Sequence, residues 1–297
     1  MNRRTFLETT AVAVAATTLA PAVLAAETKP ISWPIGCLNR PWAEKHPSWV
    51  YDNALEGIQA AGYKLTGLLT RGPKEPFTGI DATPEYLADL KKKIAARGLK
   101  ANMAAMRTNE QQSLDEQIKG MRRQIDNAKF LGVEYLLTFG VNKPEHFETY
   151  YQLMRDAAAY AQERALKLVL KPHGGASGAA EEILRCLEQV KHPNFNIWFD
   201  AGNIVFYTGK DPIEQLKPIA QHVTGLCAKD CDKQGGTVWL EFGTGKVDFP
   251  ALFAELKRGG FNGPIMVECC APGETIEAVT AHARKNREYL EKTLAAV

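Results

Sequence analysis

Five residues have the chemistry and spacing to act together: Lys171 and His173 in Lys171-Pro172-His173-Gly174-Gly175, Asp200 in Asp200-Ala201-Gly202-Asn203, Lys229, and Glu268 after Ile265-Met266-Val267. Each follows or closes a short apolar run. In an extended strand, alternate side chains share a face. Lys171 then lies with His173, Asp200 with Trp198, Lys229 with Cys227, and Glu268 with Met266. If these faces point to a common interior, two carboxylates, an imidazole and two ammonium groups converge. Such a set suits removal of a carbon-bound proton beside a sugar carbonyl: one group takes the proton, another returns it, and a cation holds the oxygens. Lys171, His173, Lys229 and Glu268 are the candidate catalytic residues. Glu268 or His173 is the base or acid, Lys171 and Lys229 polarise substrate oxygens, and Asp200 orients Lys171 or a metal. The same charges would also satisfy a purely internal salt-bridge network, because buried charges require partners.

Elements able to bring these positions together recur along the chain. Apolar runs at Trp33–Cys37, Thr66–Thr70, Ala101–Met106, Tyr135–Phe139, Leu168–His173, Ile197–Asp200, Val223–Lys229 and Ile265–Cys269 read as strands whose starts lie 26 to 42 residues apart. That is the spacing of strand–helix units, and runs apolar on both faces fit a sheet covered on both sides. Helical patterns fill the gaps. Leu114, Ile118, Met121, Ile125 and Ala128 form one apolar stripe, with Gly132 as its stop. Asp81-x-Thr83-Pro84 opens another helix, a third runs from about Ala179 to Val190, and the last from about Thr275 to Leu294. The expected fold is α/β, a single (β/α)8 TIM barrel, in which residues at the C-terminal strand ends build the reaction site.

The stretch from Asp230 to Phe249 interrupts this regularity. It reads as a long loop on the functional side of the barrel, and Trp239 and Phe242 argue against a solvated linker. His46, His146, His192, His222 and His282 lie in helix or loop contexts and receive no role. Gly-x-Ser-x-Gly and Walker motifs are absent, which removes serine hydrolases and nucleotide hydrolases.

The first residues read as an address. Arg3-Arg4-Thr5-Phe6-Leu7 precedes an uncharged run from Thr9 to Ala26, and Val23-Leu24-Ala25 fits a peptidase site. Residues 1–26 are expected to be a twin-arginine signal peptide and residues 27–297 the barrel domain, which places the protein in the periplasm or otherwise outside the cytoplasm. No later stretch is apolar enough to span a bilayer. The six cysteines lack zinc-site spacing and read mostly as small buried thiols, and the net charge of +2 favours neither nucleic acid nor an anionic surface.

From Leu168 to Glu268, including Gly243-Thr244-Gly245-Lys246-Val247-Asp248-Phe249 and Phe261-x-Gly263-Pro264-Ile265-Met266-Val267-Glu268, the chain resembles the xylose isomerase-like TIM-barrel superfamily, the sugar phosphate isomerase/epimerase group. The resemblance implies a divalent metal (manganese, magnesium, cobalt or zinc) held by glutamate, aspartate, histidine and glutamate on the fifth to eighth strands. Asp200 and Glu268 match. Lys171 stands at the fifth-strand glutamate, Cys227 at the seventh-strand histidine and Asn203 at a further histidine, while Lys229 and Asp230 are retained. The histidine-rich set of the superfamily's DNA-repair nucleases is missing. Two arrangements follow. Either the Lys171 ammonium replaces the metal between Asp200 and Glu268, which is the favoured arrangement, or a metal moves to His173, Asp200 and Glu268. The expected function is an exported sugar isomerase, epimerase or related lyase acting on a carbohydrate or keto-sugar, with neutral sugars favoured over phosphorylated ones by compartment. The altered ligand set also motivates a different class, a barrel that has lost catalysis and binds a sugar or a partner protein.

Overall fold

The structure is a computed structural model that describes residues 32–43, 50–72 and 74–297. The expected signal peptide, residues 1–26, and His46 lie outside the described residues. Eight parallel strands close into a barrel in sequence order: β1 (Ile35–Leu38), β2 (Leu65–Leu68), β3 (Lys100–Ala105), β4 (Tyr135–Thr138), β5 (Lys167–Leu170), β6 (Phe195–Phe199), β7 (Val223–Ala228) and β8 (Ile265–Val267), with β8 pairing back to β1. All eight expected strands are present. Seven of the eight end earlier than the apolar runs that announced them; in β5 to β8 the polar residues Lys171, Asp200, Lys229 and Glu268 leave the hydrogen-bond ladder and turn toward one another.

Helices on the outside connect the strands: α1 (Arg40–Ala43), α2 (Tyr51–Ala60), α3 (Pro84–Ala96), α4 (Leu114–Leu131), α5 (Phe147–Glu163), α6 (Ala180–Val190), α7 (Ala201–Thr208), α8 (Pro212–Leu216), α9 (Phe249–Arg258) and α10 (Ile276–Leu294). Their ends follow from local chemistry. The Ser113 hydroxyl accepts from the Glu116 N–H while the Glu116 carboxylate accepts from the Ser113 N–H, a reciprocal cap that starts α4. Thr83 caps α3 ahead of Pro84, and Thr275 caps α10.

Two layers of core result. The larger lies between strands and helices. The smaller fills the barrel and includes Leu38, Met103, Ala105, Leu137, Val169, Trp198, Cys227 and Met266. These inward residues set the phase of each strand. Two positions beyond Leu38, Ala105, Leu137, Val169, Trp198, Cys227 and Met266 stand Arg40, Arg107, Phe139, Lys171, Asp200, Lys229 and Glu268. All seven therefore belong to the next layer up, at the mouth. The six cysteines are buried and unpaired.

Candidate active site

Lys171, Asp200, Lys229 and Glu268 are each the first residue after their strand, and they meet in a closed ionic lattice. Lys171 Nζ lies 3.0 Å from Asp200 Oδ2 and also contacts Glu268 Oε2. Lys229 Nζ lies 3.1 Å from the same Asp200 oxygen and 2.8 Å from Glu268 Oε1. A third cation, Arg40, approaches Glu268 Oε1 at 2.8 Å. The contacts to Asp200 Oδ2 are ionic rather than aligned hydrogen bonds. Its other oxygen accepts the Asn203 N–H at 2.8 Å and so caps α7, while the Asn203 amide donates to Pro172 O at 2.6 Å. One short sequence, Asp200-x-x-Asn203, thus ties β6 to the turn after β5.

Burial alone would drive both ammonium groups toward neutrality, but Glu268 and Asp200 overcome it and raise both lysine pKa values. Burial likewise opposes ionisation of Glu268. Lys171, Lys229 and Arg40 override it and hold its carboxyl well below the usual range. Lys171, Lys229 and Glu268 are therefore ionised at neutral pH.

His173 stands apart from it. The turn that carries His173 is built by Gly174 and Gly175, both at positive φ (85° and 51°), and a Cβ on Gly175 would lie 2.3 Å from Val141 O. The His173 ring packs against Phe139 and Tyr207, and its Nε2 lies 2.9 Å from the Tyr207 hydroxyl. Burial, then the charges of Lys171 and Lys229, lower its pKa to about 4, so the ring is neutral at pH 7.

Lys171, Lys229, Glu268, Arg40 and His173 line a cavity of about 220 Å³ together with Arg107, Phe206, Tyr207 and Val238. Val238 belongs to the expected long loop, which is packed rather than solvated. Trp239 lies against the Arg40 guanidinium (5.1 Å), and Phe242 packs on Phe249 (4.8 Å). Its organiser is the buried Asp230, whose carboxylate accepts N–H groups from Cys231, Gly243, Gly245 and Val247 at 2.8–3.1 Å. Gly245 approaches so closely that a Cβ there would lie 2.2 Å from Asp230 Oδ1.

A divalent metal does not fit this arrangement. Among the described residues, the candidate ligand atoms within 4.8 Å of one another come from Asp200, Cys227 and Glu268; His173 is not in this group. Two ammonium groups already occupy the carboxylate oxygens. Burial raises the Cys227 pKa well above the usual thiol value, so it offers a thiol rather than a thiolate. A dication placed there would face both lysines at close range in a dry site.

A family model described as "Xylose isomerase-like TIM barrel" matches residues 55–293. The chain belongs to that family. Within it, the chain is 25% identical over 188 residues to L-ribulose-5-phosphate 3-epimerase of Salmonella paratyphi C, covering 59% of this chain and 63% of that protein. It is 27% identical over 199 residues to an inosose dehydratase of Clostridium perfringens, covering 61% and 64%. The chain thus spans less than two thirds of these relatives. A xylose isomerase-like TIM-barrel protein of Mycobacterium smegmatis, solved in complex with magnesium, shares the fold with a TM-score of 0.71 at 17% identity, covering 89% of this chain and 97% of that one.

All five sequence-derived candidates reach one cavity or the lattice behind it. Arg40, Arg107 and Phe139 escaped the sequence analysis, although the same alternation carried into β1, β3 and β4 marks them. Tyr207 carries no comparable signal, because its place depends on how α7 leaves Asp200.

Proposed function

We propose that this protein transfers a proton next to the carbonyl of a carbohydrate, as an isomerase, epimerase or related lyase, with lysine ammonium groups where the family's metal would stand. The carrying observation is the lattice in which Lys171 and Lys229 bridge Asp200 and Glu268 at the mouth of the barrel. Both ammonium groups reach the cavity. They polarise the substrate carbonyl and stabilise the enediolate oxygens that form as the proton leaves. Of the two candidate bases, Glu268 has both oxygens engaged by cations, whereas His173 is neutral and faces the cavity. His173 therefore takes the proton, oriented by Tyr207. Its conjugate acid is strong enough to return it to the neighbouring carbon for isomerisation, whereas epimerisation requires a second acid to deliver a proton to the opposite face of the same carbon. Glu268 and Asp200 keep the lysines charged and in place.

Deuterium incorporation into keto-sugars in D2O tests the reaction. Solvent deuterium at a carbon beside the carbonyl is expected. Complete absence of label across a sugar panel would leave the binding-only barrel as the better description. Elemental analysis tests the metal replacement, with less than one tightly bound metal per chain expected; stoichiometric manganese or zinc would overturn it.

Export belongs to the same proposal. Residues 1–26 act as the twin-arginine signal and residues 27–297 as the mature domain. Six buried, unpaired thiols suit a chain that folds before it crosses a membrane. Replacing Arg3 and Arg4 by lysine should retain the protein in the cytoplasmic fraction.

A further inference from the structure

The cavity is lined by several cationic side chains. Arg40, Arg107, Lys171 and Lys229 line it, against Glu268, with Asp200 buried behind. Arg107 is the informative member. Its guanidinium donates to Leu69 O at 2.9 Å and lies 5.0 Å from the centre of the Phe139 ring. Among the described residues it has no carboxylate within 4.0 Å. Nor does Arg71, which stands close enough to Arg107 for the two like charges to interact. Asp81 is near enough to favour the charged form of Arg71 without pairing with it, and the Glu75 carboxylate accepts from Tyr86 and from the Tyr51 N–H.

Gln124, which is 4% exposed, ties the Arg71 side chain to the Arg107 backbone. Its Oε1 accepts from Arg71 Nη2 and from the Arg107 N–H, both at 3.0 Å, and its Nε2 donates to Arg107 O at 2.8 Å. The like charges of Arg71 and Arg107 repel one another, and among the described residues no carboxylate pairs with either. A ligand anion would, by charge-assisted and bidentate hydrogen bonds. The position fits a substrate with two ends. Phe139 has Arg107 at 5.0 Å and the Lys171 ammonium at 5.8 Å from its ring centre, so a small chain across that ring reaches from rim to lattice.

We propose that the substrate is a small organic anion, a sugar acid or a sugar phosphate, whose carboxylate or phosphoryl group is held at the rim by Arg107 with Arg71 behind it. The assignment of the other end to Lys171 and Lys229 rests on the proton-transfer reading; the anion handle does not. It also departs from the neutral sugars that the expected compartment favoured.

Calorimetric titration of the wild-type protein at low salt, with a panel of sugar acids, sugar phosphates and their neutral parents (D-gluconate and D-glucose 6-phosphate against D-glucose among them), tests this. An anion should bind at least tenfold more tightly than its neutral parent, and added salt should erode the advantage. Preference confined to carboxylates or to phosphates identifies the group. Arg107→Gln should abolish the tenfold preference, and Arg107→Lys should retain part of it. Circular dichroism of both variants confirms that they fold. No anion preference across the panel, or a preference unchanged in Arg107→Gln, would overturn the inference. Anion binding without deuterium exchange would sink the proton-transfer reading alone. Exchange into neutral sugars without anion preference would sink only the present one.

Discussion

Lys229 Nζ and Glu268 Oε1 lie 2.8 Å apart with both side chains 2% exposed. Because Lys171 and Arg40 share the same carboxylate, Glu268 is the hub of the lattice. Replacing Glu268 by Gln leaves two buried ammonium groups with Asp200 alone. Breaking one partner of a buried pair costs about 3–5 kcal/mol, whereas exchanging both partners for apolar groups is tolerated better. In urea denaturation, Glu268→Gln should therefore be less stable than the double variant Lys171→Met/Glu268→Leu. The reverse order would mean that the lattice is not held by its charges.

Removing the Lys171 ammonium should damage catalysis more than substrate binding. Loss of one preorganised donor to a developing oxyanion lowers kcat by about 10²–10³-fold. Lys171→Met is expected to show that fall with KM little changed. A proportional rise in KM with kcat intact would make Lys171 a binding residue.

His173 sets an acid limb. Its folded pKa, about 4, is below the unfolded imidazole value. The unfolded chain thus binds more protons between about pH 6.5 and 4, so the contribution of His173 to stability is full above that window and declines as pH falls through it. Activity should fall with an apparent pKa near 4, as the ring becomes protonated. His173→Asn should remove its part of the stability slope and most of the turnover. Tyr207→Phe should shift the limb without abolishing activity, as expected of a residue that acts through His173.

Asp230 should control the loop rather than the chemistry. Four backbone N–H groups converge on its carboxylate, and an amide cannot accept all of them equally. Asp230→Asn is expected to destabilise the protein by about 1–3 kcal/mol, speed proteolysis between residues 238 and 247, and raise KM more than it lowers kcat. Unchanged cleavage kinetics in that segment would argue that Phe242 and Trp239 suffice to hold it.

The parts of the molecule legible in the sequence are those governed by short periods. Two-residue alternation placed Lys171, Asp200, Lys229 and Glu268 on one inward face, and the three-to-four spacing of Leu114 through Ala128 placed α4. What stayed hidden depends on contacts across the fold. Gln124 sits beside the α4 stripe as one more polar residue, and only the meeting of α4 with the segments after β2 and β3 reveals that it ties the Arg71 side chain to the Arg107 backbone. Asp230 was visible as part of a motif, but its four donors arrive from up to 17 positions away. Lys171 and Cys227 could be matched to family ligand positions, yet that a second ammonium, Lys229, occupies the same oxygens is a matter of geometry.

Every thiol of this chain is enclosed. Native protein should consequently be silent toward maleimide dyes, and a single cysteine introduced at an outward position such as Lys233 would become the one labelled site. A fluorophore there, on the segment that borders the cavity, would report ligand arrival without any of the six natural cysteines having to be removed.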